Sequence, residues 1–202
     1  MGRRNQHSRE QQRQMALDAA DALIAAEGLT GFSMRKVAQA IGYTVGNLYL
    51  LFDNQDDLLA EVSLRTADAM HEYLVTAASK ARTPLGRLQA IAAGYIAFAQ
   101  RQPFRWRLMF EHRLPPEQWG HPGLEARQRA LFEFVEQHLA PLLPRATAAQ
   151  LRAAATPLWS SVHGLCVLTI TGKLGWSGLS DVRPLSDLIV RAFVSGLRRD
   201  AG

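Results

Sequence analysis

The segment Ser33-Met34-Arg35-Lys36-Val37-Ala38-Gln39-Ala40-Ile41-Gly42-Tyr43-Thr44-Val45-Gly46-Asn47-Leu48-Tyr49-Leu50-Leu51-Phe52-Asp53-Asn54-Gln55-Asp56-Asp57-Leu58-Leu59 decides the fold of this chain. Ser33 is a natural N-cap, because its hydroxyl can accept an otherwise unpartnered amide of the first helical turn. Val37, Ala40 and Ile41 recur at helical spacing and give that helix one apolar face. Gly42 stands where the helix must stop, since glycine takes positive φ without a Cβ clash. Thr44 caps a second short helix, in which Leu48 and Phe52 lie one turn apart and point inward. Val45, Gly46, Asn47 and Tyr49 are then left facing out. Two short helices about a sharp turn make a helix-turn-helix, which presents the N-terminal part of its second helix to base edges in the major groove.

On either side the chain reads as helical, with no alternating strand pattern and no internal repeat. A first helix is expected from about Arg9 to Glu27, burying Met15, Ala19, Leu23 and Ile24 and ended by Gly28. Asn54 caps a long helix reaching about Ala81, with Asp57 in the capping-box position. Thr83-Pro84 opens a helix to about Arg101. Gln102-Pro103 breaks the chain before a short aromatic helix, Phe104 to Glu111, and Pro115-Pro116 with Gly120–Gly123 marks a loop. Leu124 to Leu139 is amphipathic, Thr147 caps a helix to about Leu174, and Leu185 to Arg198 closes the chain. The expectation is an all-α protein of about nine helices: a three-helix DNA-binding domain over 1–60 and a helical domain over 61–202.

Bulk properties set outer limits. At 202 residues, with 48% hydrophobic and 20% charged residues, the chain suits a small domain plus a larger one. No run approaches the ~18 apolar residues of a membrane span, and Arg3-Arg4 is not followed by an apolar export segment. With one cysteine, Cys166, an internal disulfide is excluded, and a cytoplasmic location is expected. Cys166 sits in an apolar run and reads as a small buried hydrophobe. The net charge of +5 is not concentrated in the helix-turn-helix, because residues 1–60 hold six cations against seven acids. Arg3, Arg4, Arg9 and Arg13 read either as a solvated tail or as an arm that neutralises phosphate.

The spaced run Ala16-x3-Ala20-x2-Leu23-x3-Glu27-Gly28, Ser33-x3-Val37-Ala38-x2-Ile41-Gly42 and Gly46-Asn47-Leu48-Tyr49-x2-Phe52-x5-Leu58-Leu59 resembles the N-terminal domain of the tetracycline-repressor (TetR) family of one-component regulators. The resemblance implies a double-stranded DNA operator contacted by Ser33, Arg35, Lys36, Thr44, Val45, Gly46, Asn47 and Tyr49. Leu51 and Gln55 depart from it, standing where relatives often carry a phosphate-touching His and Lys. Leu158-Trp159-x3-His163-Gly164-Leu165 is similar to the ligand-binding domain class named for Trp, His and Gly. Pro103-Phe104-x-Trp106-x-Leu108-Met109-Phe110 resembles the aromatic helix that lines the cavity of many relatives. An effector pocket walled by Tyr95, Phe98, Trp106, Met109, Phe110, Trp159 and His163 is therefore expected. That composition suits a mostly apolar or aromatic small molecule with one hydrogen-bonding group. A single helix-turn-helix touches few bases, so a homodimer through the last two long helices is expected. Its face is expected to hold Leu151, Ala155, Leu158 and Val162, with Leu185, Leu188, Ile189, Ala192 and Phe193.

Enzyme and metal readings find little in the residues. His71-Glu72, Glu111-His112 and Glu133-x-x-Glu136-x-His138 lack the Glu-x-x-His spacing of a helical di-metal site. No phosphate-cradling Gly loop or nucleophile motif occurs. No catalytic residue, cofactor or membrane partner is expected. Two other functions stand against a ligand-responsive regulator, usually a repressor: a helical enzyme with an incidental helix-turn-helix, and an architectural protein that binds DNA without sequence preference.

Overall fold

Short-range caps set most helix boundaries in the computed structural model, which describes residues 7–112, 122–179 and 181–200. Nine α-helices and no strand occur among the described residues: α1 Arg9–Gly31, α2 Met34–Ile41, α3 Val45–Leu48, α4 Gln55–Ser79, α5 Pro84–Arg101, α6 Pro103–Glu111, α7 Pro122–Leu139, α8 Ala148–Ile170 and α9 Val182–Asp200. The loop expected at Pro115-Pro116 and Gly120-His121 lies outside the described residues, whereas Pro122-Gly123 opens α7. Single 3₁₀ turns occupy Ala140–Leu142 and Lys173–Ser177, the latter shortening the helix expected to reach Leu174.

Packing divides the chain into two units, one of Met1–Ala67 with Gln102–Leu124 and one of Asp68–Arg101 with Glu125–Gly202. In the first, α1 buries Ala16, Leu17, Ala20 and Ile24, leaving Met15, Ala19 and Leu23 half-buried. The buried face of α2 is Met34, Val37 and Ala38, with Ile41 half-buried and Ala40 exposed. Phe32, Leu48, Phe52, Leu58, Leu59, Val62 and Leu108 complete this core. Gly28 does not end α1. It kinks the helix at φ 69°, ψ −169°, backbone only glycine adopts readily, and one further turn follows to Gly31.

The aromatic helix departs from the sequence expectation, which gave it to the second domain. In the structure α6 packs on α1. The Phe104 ring lies over the kink, where a Cβ at Gly28 would come within 2.8 Å of Cδ1. Arg105 grips Asp21 through Nε at 2.7 Å and Nη2 at 2.6 Å, the bidentate geometry in which Arg–carboxylate pairs are strongest. His112 Nε2 reaches Asp56 at 3.0 Å, tying the far end of α6 to the start of α4.

The second unit packs α5 against α8 and α9. Its core holds Leu88, Ile91, Ile96 and Ala99 of α5, Ala155, Leu158 and Val162 of α8, and Val190 and Val194 of α9. Three residues expected on a dimer face, Ala155, Leu158 and Val162, are therefore interior to one copy. By length and composition α8 could cross a membrane, with a window of mean hydropathy 1.3; here it packs as a helix of this unit.

Candidate nucleic-acid interface

Local hydrogen bonding builds the helix-turn-helix. Ser33 Oγ accepts from the Lys36 amide at 3.2 Å, and Gly42 closes α2 in the left-handed conformation at φ 73°. Thr44 Oγ1 accepts from the Asn47 amide at 3.3 Å and donates to Asn47 Oδ1 at 2.6 Å. With Oδ1 engaged, the Asn47 amino group is left as the donor for an outside partner. Val45 is half-buried and packs partly against the core, so only part of its side chain faces out. Gly46 is exposed and Tyr49 is 52% exposed. Leu48 and Phe52 are fully inside and hold the short α3 down.

The cations sort themselves by contact. Arg35 is exposed at the start of α2, and among the described residues no hydrogen bond or ion pair engages its guanidinium. Lys36 is engaged, with Nζ 2.6 Å from Glu27 Oε2 and donating to the Gly31 carbonyl at 2.7 Å. Both partners of that pair are about half exposed, so the tie is weak and open to exchange with a phosphate. Arg9 donates to the Leu50 carbonyl at 2.6 Å. Arg13 donates to the Leu51 carbonyl, pairs with Glu61 and lies 4.3 Å from the centre of the Phe52 ring. Arg9 and Arg13 thus belong to the head itself, and Arg3 and Arg4 lie outside the described residues. His7 Nδ1 stands 3.0 Å from the Tyr43 hydroxyl beside the turn. Leu51 fills the position of the expected phosphate-touching His and packs against the core.

The seven residues expected to wall a pocket divide between the units. Tyr95, Phe98, Trp159 and His163 are in the second; Trp106, Met109 and Phe110 ride on α6 in the first, where Trp106 is 1% exposed with its ring 4.7 Å from Phe110. In the second unit the Tyr95 hydroxyl and His163 Nδ1 share a hydrogen bond at 2.8 Å. Trp159 stacks on His163 at 4.8 Å between centroids, and Phe132 meets Trp159 at 5.5 Å. Burial lowers the His163 pKa, so the imidazole is neutral at physiological pH. Phe132 joins this cluster from α7, a role hidden in the sequence because its spacing reads equally well as core. His71 of α4 sits edge-on to Phe134 with Nδ1 buried and without a partner among the described residues. Cys166 is fully buried, and its thiol pKa is pushed up to about 12 by burial. Among the described residues no three His, Cys, Asp or Glu side chains gather in a way that could hold a metal ion.

Two family models match the chain: bacterial regulatory proteins of the tetR family over residues 16–62, and the tetracyclin repressor-like C-terminal domain over residues 88–193. No curated protein matches it. Among solved structures, a protein of unknown function from Rhodococcus sp. RHA1 superposes with TM-score 0.72 at 19% identity, covering 98% of each chain. A TetR-like transcriptional regulator from the same organism gives TM-score 0.63 at 19% identity, over 95% of this chain and 100% of that one. A TetR-family transcriptional regulator from Bordetella parapertussis 12822 gives 0.61 at 22% identity, over 90% and 93%. At such identities the likeness establishes the fold.

Proposed function

The chain belongs to the tetR family of bacterial regulatory proteins, and we propose that it acts as a ligand-responsive repressor that binds a palindromic operator as a homodimer. The observation that carries this reading is the outer surface of the helix-turn-helix. Arg35 is unengaged, the Asn47 amino group is available, and Gly46 leaves the backbone open to close approach. Arg35 suits bidentate contact with a guanine, and Val45 suits a thymine methyl group. Ser33 and Thr44 cap the N-termini of α2 and α3 and Asn47 lies in the first turn of α3, where phosphate oxygens are favoured; Tyr49, at the C-cap of α3, offers an exposed hydroxyl to a phosphate, and Lys36 joins them once released from Glu27.

Pairing of two copies is supported by the exposed faces of α8 and α9. Ala153, Pro157, Ser160, Gly164 and Leu168 recur at helical spacing on one, and Leu188 and Ala192 on the other, with Leu188 55% exposed. Small residues along one face permit close helix approach. The effector is a small, mostly apolar or aromatic molecule held by Tyr95, Phe98, Trp159 and His163. The neutral imidazole favours an uncharged hydrogen-bonding group. An effector that prefers the non-binding state by ~1–3 kcal/mol weakens operator binding ~5–150-fold.

The test is enrichment of binding sites from a random duplex library by the purified protein. An inverted repeat should emerge, with half-sites about one helical turn, or a multiple of it, apart. Enrichment of nothing but general duplex would replace the regulator by an architectural DNA-binding protein.

A further inference from the structure

Arg13 makes contacts that a DNA-reaching arm would not. Its guanidinium donates to the Leu51 carbonyl, pairs with the Glu61 carboxylate of α4 and covers the Phe52 ring. One turn earlier, Arg9 holds the Leu50 carbonyl. The accepting carbonyls end the run of turns that continues α3, in which the Leu51 and Phe52 amides both bond to Leu48 O at 2.9 Å. A cation is favoured at such a C-terminal end, where carbonyls lack helical partners. Five donors on a rigid plane let one Arg serve the carbonyl and the carboxylate while its face stacks on an aromatic ring; a Lys ammonium cannot do all three. The Arg13 and Glu61 side chains are 30% and 22% exposed, and each neutralises the other.

We infer that Arg13, held by Glu61, is a positioning residue for DNA reading, which fixes the recognition segment Thr44–Tyr49 against α4 and takes no phosphate itself. Any bias on the orientation of α4 at Glu61 then reaches the base-reading residues through one guanidinium. This inference rests on the regulator reading proposed above.

The test measures binding to the duplex enriched by the wild-type protein and to a scrambled duplex of the same composition, each across a range of salt. Wild type, Arg13→Ala, Arg13→Lys and Glu61→Gln are compared, with melting followed to show that each is folded at the assay temperature. Arg13→Ala should weaken binding to the enriched duplex roughly tenfold, leave the scrambled duplex unchanged and keep the salt slope, because a neutral internal pair releases no counterions. Arg13→Lys should behave like Arg13→Ala. Glu61→Gln, whose amide oxygen still accepts from the guanidinium, should stay close to wild type. Equal loss on both duplexes, with a salt slope smaller by about one, would make Arg13 a phosphate contact and overturn the inference. A lowered melting temperature with unchanged discrimination between the duplexes would overturn it too, leaving only a fold-stabilising role. Should Arg13→Ala not fold, Arg13→Lys and Glu61→Ala carry the same comparison. If wild type enriches no duplex the regulator reading itself falls, a failure distinct from an enriched duplex that Arg13 variants read normally.

Discussion

At Gly46 the free protein has room for a side chain: the nearest heavy atom to an added Cβ is Thr44 Oγ1, at 3.8 Å. Gly46→Ala should therefore fold normally and gain up to about 1 kcal/mol of helix propensity. Any fall in operator affinity then reports close backbone approach to the duplex, and melting paired with fluorescence anisotropy separates the two effects. Unchanged affinity would mean that Gly46 is spared close contact. Cys166 allows a chemical check on the interior. Its buried thiol, with a pKa pushed up to about 12, should resist a thiol reagent at pH 8 until the protein unfolds; labelling of the native protein within minutes would contradict this. Residue roles were legible where they are local. Ser33, Asn54, Thr83 and Thr147 all bond a backbone amide three residues on, and composition alone announces such caps. Arg13 was opaque because its partners Leu51 and Glu61 lie 38 and 48 residues away.

Among the elements, α1 and α6 depart furthest from what periodicity suggests. Gly28 was legible as a helix breaker. That it makes a kink covered by Phe104, and not an end, follows from a contact made 76 positions later in the chain. The two positive-φ glycines of the head make a matched experiment. Gly42, at φ 73° with nothing within 4 Å of an added Cβ, should lose about 1–2 kcal/mol on substitution by Ala, from backbone strain alone. Gly28→Ala should lose more, because its backbone lies in a region almost confined to glycine and a Cβ would strike Phe104 at 2.8 Å. Urea melts of the two variants decide the order; equal losses would show that the Phe104 contact yields freely. The same limit explains α8. A helical stripe identifies an apolar face but not its partner, so Ala155, Leu158 and Val162 read as an interface although they are buried within their own copy, on a helix packed against α5 and α9.

For the whole molecule, pH and assembly give the broadest tests. Burial depresses the His163 pKa, so as pH falls through the ordinary value near 6.5 the unfolded chain takes up its proton first. The stability that neutral His163 contributes is present above pH 6.5 and lost below it. The melting difference between wild type and His163→Gln, which carries no titratable group there, should therefore shrink or reverse between pH 7 and pH 5. A constant difference would show that His163 is solvated. Leu188→Glu, at an exposed position of α9, should yield monomers at micromolar concentration in sedimentation while wild type sediments as a dimer. A monomeric wild type would remove the pairing that a palindromic site requires. Reading of DNA sequence by the exposed head is the claim on which the rest depends, and titrating wild type and Arg35→Ala against the enriched and scrambled duplexes at one salt concentration tests it most directly. Wild type should prefer the enriched duplex by about a thousandfold or more. Arg35→Ala should lose ~1–3 kcal/mol on the enriched duplex alone, with discrimination relaxed at one base pair. Equal wild-type affinity for the two duplexes would contradict it.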